Sequence, residues 1–349
     1  MRAAVLLDDR KMEVLDVRDP EPGPEEALIR PLRASICGTD LHIYCGEFHE
    51  RVELPRILGH EFMGRVEWAP AASGFFPGDS VVVDPLVPCR TCSACQDGRM
   101  SACRLLRLLG VDKDGGFSEI RPVPVDRLHH VPEGLSPDRA VFAEIYAIAF
   151  HGIRRAVIEP GDFVVIIGAG KLGLSLLDVA RGAGAEAIAI IDVLPNRLEV
   201  AKVLGADLVL DATKVDPVLE IVRRTRGRGA DRVIEAVGHH VPIPNCLPPM
   251  AMSCEMVKPA GRVVAMGLGP ESTPVFWRNA VLKELDIVAS RVSLGEYPRA
   301  IAALAKPGRL HPEAFVTDQV SLEDVPKVLA RMENEPAGIL KTIVKIAER

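Results

Sequence analysis

Cys37, Thr39, His42, His60 and Glu61 place a thiol, a hydroxyl, two imidazoles and a carboxylate in one short stretch of the sequence. It reads Cys37-Gly38-Thr39-Asp40-Leu41-His42 and, after a loop, Gly59-His60-Glu61. Thiolate, imidazole and carboxylate are the donors that a borderline-soft ion such as zinc prefers. Thr39 and His42 follow the thiol closely and could carry a proton away from a hydroxyl held by that ion. The chemistry this suggests is metal-assisted oxidation of an alcohol. Each residue alone has an ordinary alternative, as a buried thiol or as a core or surface histidine. The combination is what argues for a site.

Two further motifs stand beside the first. Cys89-x2-Cys92-x2-Cys95-x7-Cys103 puts four of the eight cysteines on one loop. Four thiolates can close a tetrahedral shell around zinc and leave no position for substrate, so this loop reads as a structural metal lobe. A redox role for Cys92 and Cys95 is the alternative, and the flanking Cys89 and Cys103 favour metal. The second motif begins with the apolar run Phe163–Ile167, which leads into Gly168-Ala169-Gly170-Lys171-Leu172-Gly173 and a helical stretch. A further apolar run, Ala187–Ile191, ends at Asp192. Strand, glycine turn, helix and an acid about twenty residues on make the dinucleotide fingerprint. Its glycines let a pyrophosphate approach the helix N-terminus. Asp192 would accept hydrogen bonds from the adenosine ribose and repel a 2′-phosphate, which favours NAD over NADP. Arg197, close by, would cover the adenine or face solvent, or would accommodate that phosphate.

These motifs need elements to hold them. Up to about residue 150, β-branched runs such as Ala27–Leu32, Phe62–Glu67, Ser80–Val83 and Phe117–Val125 alternate with Gly and Pro punctuation. That texture predicts a β-rich barrel or sandwich-like domain. A helix is expected over Ala140–Arg155 with Glu144 near its start, either a solvated first-turn carboxylate or a further metal ligand. From Phe163 the texture changes to buried parallel-strand type, continued at Leu208–Leu210, Arg232–Ala236 and Arg262–Met266. The stretch Gly238–Pro259, with His239, His240, Cys246, Cys254 and five prolines, reads as a loop facing a cofactor or a neighbouring subunit rather than as another metal site. Beyond Ile287, helices over Glu296–Ala305 and Leu322–Asn334 and a strand over Ile339–Val344 are expected to rejoin the first domain.

Composition sets the outer bounds. The 349 residues are 48% hydrophobic and 26% charged, as in soluble globular proteins, and the length suggests two domains. A net charge of -6 gives no electrostatic footprint for nucleic acid. The apolar runs are too short for a membrane span or signal peptide, so the expectation is a cytoplasmic protein. Crowded cysteines in a reducing compartment point to metal rather than disulfides.

Taken together, the motifs resemble those of the zinc-dependent medium-chain alcohol dehydrogenases over essentially the whole chain. Cys-Gly-Thr-Asp-Leu-His with a later Gly-His-Glu is similar to the polyol, sorbitol-type and threonine 3-dehydrogenase branches. The resemblance implies an α/β protein. A GroES-like β-rich catalytic domain would comprise residues 1–150 and 288–349, and a doubly wound Rossmann domain residues 151–287, with the active site in the cleft between them. It implies two zinc ions per chain. Cys37 and His60 would hold the catalytic one with Glu61 or Glu144, directly or through water, and Cys89, Cys92, Cys95 and Cys103 the structural one. Gly168, Gly170, Lys171, Leu172, Gly173, Asp192 and Arg197 would bind NAD. Thr39 and His42 match the proton-relay positions, through the nicotinamide ribose, and Arg291 lies near a substrate-contacting position. The chain departs from its relatives at Glu144-Ile145-Tyr146, which would alter the wall beside the metal, and in its longer Gly238–Pro259 stretch. The implied reaction interconverts a polar secondary alcohol (a polyol, sugar acid or hydroxy amino acid) and its ketone. Partners would be that small molecule and further copies of the chain in a homodimer or homotetramer. The alternatives are L-threonine 3-dehydrogenase specifically, a zinc-free quinone or enone reductase, and a non-catalytic NAD-binding protein.

Overall fold

The long strand Glu26–Ile36 is the spine of the first unit of the computed structural model, which describes residues 1–47, 50–238, 243, 246–269, 273–335 and 337–347. Its first half alternates buried and half-buried positions, as a strand with one covered face should. Near its end Ala34, Ser35 and Ile36 are all buried, because both faces are covered there. It is the fourth strand along a seven-stranded sheet. On one side runs antiparallel Glu61–Trp68, with Ser35 opposite Glu61. On the other runs antiparallel Lys341–Lys345, with Ile36 opposite Thr342. The closing strand of the chain thus lies beside the strand that precedes Cys37. Leu58, Phe62, Phe117 and Val344 contribute to the core of this unit, each of the larger side chains adding about 1.5–3 kcal/mol by burial.

The chain divides into two units, Met1–Glu144 with Tyr297–Arg349 and Ile145–Glu296. The first divide falls between Glu144 and Ile145, in the first turn of the helix Ala143–Ala156. The second unit is a six-stranded parallel sheet. Its strands Phe163–Ile167, Ala187–Asp192, Leu208–Asp211, Ala230–Glu235, Val257–Ala265 and Asp286–Ala289 lie in the order third, second, first, fourth, fifth, sixth. This is the doubly wound order, in which ligands bind beyond the carboxyl ends of the strands where the order reverses. The expected strand at Phe117–Val125 is shorter, Arg121–Pro124, because Gly116 and Phe117 hydrogen-bond to Gly59 and Leu58 and close a turn instead. Within the proline-rich stretch a helix does form, Pro249–Met256, with proline in its first turn, where the missing N–H costs nothing. His239, His240, Pro242 and Pro244 lie outside the described residues.

One half-buried titratable group should make the first unit acid-sensitive. His129, on Leu128–His130, stacks on Tyr297 with ring centroids 4.8 Å apart and planes 5° from parallel. Burial, helped by Arg127, lowers its pKa from 6.5 to about 4. The folded state therefore binds this proton less readily than the unfolded chain, and the stability from neutral His129 is present above pH 6.5 and lost as pH falls towards 4. A His129→Phe variant keeps the stack and removes the proton. Its urea midpoint should fall less than that of the wild type between these pH values, and parallel curves would refute the assignment.

Candidate active site

Three adjacent strands and one short helix build the first site. Cys37 ends the Glu26–Ile36 strand and precedes the helix Gly38–Tyr44. Asp40, at the third helical position, reaches back to accept from the Cys37 N–H at 2.7 Å, the reciprocal half of a capping box. Its other oxygen accepts from the Gly59 N–H at 3.2 Å and faces His60 Nδ1 at 3.5 Å, an ion-pair distance rather than a hydrogen bond. Nδ1 is thereby directed at Asp40, which leaves Nε2 as the ring's donor for a metal. A Cβ on Gly59 would come within 2.6 Å of the Phe117 ring, so glycine is required where the chain turns into His60.

The donor atoms of Cys37, His60 and Glu61 all lie within 4.8 Å of one another. A thiolate, an imidazole and a carboxylate at that spacing fit a tetrahedral zinc centre with one open position. Burial disfavours a charged His60, but the Cys37 sulfur and the Asp40 carboxylate outweigh it and hold the pKa well above its usual value. An incoming cation must displace that proton. Glu144 is buried nearby but falls outside the trio. Burial, and then repulsion from Glu61, push its carboxyl up to about 8.

Thr39 and His42 stand three apart on the Gly38–Tyr44 helix and so share a face. Thr39 Oγ1 lies 3.9 Å from Cys37 Sγ, which puts its hydroxyl beside the metal donors. His42 is more exposed, and its Nδ1 is 2.7 Å from Glu47 Oε2.

Two residues that the sequence did not single out complete this centre. Lys341 is fully buried, and its ammonium donates to Glu61 Oε2. The Ser35 hydroxyl donates to the same oxygen. Both follow from register, since Ser35 and Lys341 come from the strand paired with Glu61 and the strand next to it. The available signal was a lysine opening an otherwise apolar closing strand, Lys341-Thr342-Ile343-Val344. Asp40 was visible only as the acid of a capping box.

The four-cysteine lobe has the dimensions of a metal site. Sulfur–sulfur distances are 3.6 Å for Cys92–Cys95, 3.9 Å for Cys92–Cys103 and 4.0 Å for Cys89–Cys95. A tetrahedron of sulfurs around zinc has edges of about 3.8 Å, given zinc–sulfur bonds near 2.3 Å. The cysteines are free of disulfides. Hydrogen bonds from Thr91, then from the Cys92 amide, lower Cys89 to about 6, whereas burial and the neighbouring sulfurs push Cys95 up to about 12. Four thiolates at this spacing need a cation between them.

The second unit holds the glycine motif. Gly168 follows the Phe163–Ile167 strand, and Lys171, Leu172 and Gly173 open the helix Lys171–Arg181. A Cβ on Gly173 would sit 1.7 Å from the Gly168 carbonyl oxygen, so the turn packs against its own helix. A Cβ on Gly170 meets only the Arg197 side chain, at 3.7 Å, leaving the side where a pyrophosphate would lie open. Asp192 ends its strand and accepts from the N–H groups of Ala169, Val193 and Leu194 at 2.6–2.9 Å. Arg197 stands 4.0 Å from Asp192. Gly168, Gly170, Asp192 and Arg197 line one open cavity, whose apolar wall includes Val237, Leu247 and Met252. Of the described part of the proline-rich stretch, Ile243, Leu247, Pro249 and Met252 line the same cavity. Cys246 and Cys254 join no metal-sized group among the described residues. Tyr146 is buried in this unit and donates to Asp178 at 2.6 Å. Arg291 is exposed in the same unit.

Comparison with known proteins gives consistent matches. The family model described as "Alcohol dehydrogenase GroES-like domain" matches residues 23–133, and that described as "Zinc-binding dehydrogenase" matches residues 172–306. An L-threonine 3-dehydrogenase from Pyrococcus horikoshii is 35% identical over 87% of each chain. The sorbitol dehydrogenase of Bacillus subtilis is 31% identical over 99% of this chain and 97% of its own. Among solved structures, alcohol dehydrogenase TADH from Thermus sp. ATN1 superposes with a TM-score of 0.90 at 34% identity, covering 99% of this chain and 100% of that one.

The ion pair beneath the trio gives a test. Lys341→Met leaves the buried Glu61 carboxylate without its ammonium, which should cost about 3–5 kcal/mol in chelator-treated protein. With saturating zinc the loss should shrink, since a dication takes over the neutralisation. Equal melting-temperature losses with and without zinc would show that metal and lysine do not share Glu61.

Proposed function

The chain belongs to the zinc-dependent medium-chain alcohol dehydrogenase family, and from that membership we propose that it interconverts a polar secondary alcohol and its ketone with NAD, using Cys37, His60 and Glu61 as its catalytic metal ligands. As a family member it is an NAD(P)-dependent alcohol oxidoreductase with a GroES-like domain and a Rossmann-type domain. The observation that carries the site assignment is the convergence of three unlike metal donors beside the helix that also presents Thr39 and His42. When bound, zinc supplies the Lewis acidity that makes a hydroxyl easier to ionise, and nicotinamide supplies the hydride acceptor.

The chain's own groups do the rest. Cys37, His60 and Glu61 fix the ion, and Asp40, Ser35 and Lys341 hold those ligands in place. Thr39 accepts the hydroxyl proton, and His42 passes it on to solvent. Gly168, Gly170, Lys171, Leu172 and Gly173 bind the pyrophosphate, while Asp192 takes the ribose hydroxyls and Arg197 covers the adenine. Cys89, Cys92, Cys95 and Cys103 hold a second, structural zinc.

Relatives acting on sorbitol and L-threonine support a substrate with polar groups beside the reacting carbon. A hydroxy amino acid is the second reading. The similarity to an L-threonine 3-dehydrogenase favours it, since that relative's substrate is a hydroxy amino acid.

The decisive experiment follows NADH formation by metal-analysed protein against polyols, sugar acids, threonine and simple alcohols. We expect two zincs per chain and turnover of one polar substrate class, and activity confined to simple alcohols would overturn the substrate reading. Cys37→Ser should retain one zinc and NAD binding but lose at least a hundredfold in kcat; unchanged turnover refutes the ligand assignment. Asp192→Ser should raise the kcat/KM ratio for NADP over NAD by about tenfold or more, as a repelling carboxylate is removed.

A further inference from the structure

We propose that Glu47 is a positioning residue for proton transfer, fixing His42 as the Nδ1–H tautomer and stabilising the charge its ring acquires. This rests on the relay reading of Thr39 and His42 and adds a third member to it.

The placement comes from how the Gly38–Tyr44 helix stops. Gly46 takes φ of 85°, the left-handed conformation that glycine adopts without strain. Its N–H donates to the Ile43 carbonyl and the Glu47 N–H to the His42 carbonyl, both at 3.0 Å. This pair of bonds is the Schellman motif, and it brings the side chains at the positions of His42 and Glu47 together, usually as an apolar contact. Here the motif joins a base to an acid, with His42 Nδ1 at 2.7 Å from Glu47 Oε2.

The chemistry follows from which nitrogen is occupied. A carboxylate on Nδ1 requires the proton there and leaves the Nε2 lone pair to receive another. During oxidation the substrate O–H bond breaks and its proton comes to bond Nε2. The electron pair of the carbinol C–H bond leaves with that hydrogen as hydride to NAD, and Nε2 then returns its proton to water. While the ring is protonated, Glu47 offsets the charge. A pair serving only as a surface ion bridge would do none of this.

Histidine-labelled, zinc-loaded protein tests the idea by nitrogen NMR of the imidazoles together with single-turnover NADH formation from whichever panel alcohol reacts fastest. Wild-type His42 should show the Nδ1–H signature. In Glu47→Ala it should shift towards Nε2–H, and the single-turnover rate should fall about tenfold with KM unchanged. Glu47→Gln keeps an acceptor oxygen without charge, so it should preserve the tautomer and recover part of the rate. In a His42→Gln background, Glu47→Ala should cost nothing further. An unchanged tautomer or rate in Glu47→Ala, or an equal loss in both backgrounds, overturns the role of Glu47. A His42→Gln enzyme with wild-type rate overturns the relay itself, and the two failures are distinguishable by which variant is silent.

Discussion

Glu61 is a carboxylate with no exposure to water, and its acceptance of that position organises the first unit. An isolated charge so deeply buried would be untenable. It is tolerated because Lys341 and Ser35 converge on one of its oxygens. That convergence depends on register across three strands, with Ser35 opposite Glu61 and Thr342 opposite Ile36. A one-residue slip of the closing strand would turn Lys341 to the other face and leave the carboxylate uncompensated. The last strand of the chain is thus held to the first motif by electrostatics as well as by its ladder.

The second unit solves a different problem. It must present backbone N–H groups to an anion while excluding side chains, so it relies on glycine turns and on the polarity of a helix N-terminus. Asp192 serves two ends here. It accepts from three backbone amides, which rigidifies the turn, and in the proposed NAD site it would set a negative charge against a 2′-phosphate. The proposed metal site is built from buried, paired charges, and the proposed dinucleotide site from a glycine turn at a helix N-terminus.

What the sequence revealed follows that distinction. Cys37, His60, Glu61, the four cysteines and the glycine fingerprint were legible because their types are rare and their spacing is local. The doubly wound sheet was legible because buried parallel strands read as continuous apolar runs. Lys341 and Ser35 were not, since nothing local marks a lysine as the partner of a glutamate 280 residues away. Glu47 was hidden for another reason. Its approach to His42 depends on a helix stop that Gly46 permits, and an apolar pattern search passes over a polar pair there. Glu144 was read as a solvated carboxylate or a ligand, and the structure brings it near the donors but outside the trio.

The position of Glu144 bears on how strongly the centre could favour an oxygen that is losing its proton. A Cys37 thiolate and a Glu61 carboxylate together neutralise a divalent ion. Lys341 adds one positive charge beside that set and the Asp40 carboxylate behind His60 one negative, so the cluster stays near neutral in a setting that screens charge less than water does. An ionised Glu144 would tip it negative. Burial and the Glu61 charge oppose that ionisation, so a second acid beside the metal need not weaken it. On the proposed ligand assignment, the lysine that makes Glu61 tolerable therefore also keeps the centre from turning negative, and one buried ammonium would serve the fold and the chemistry together.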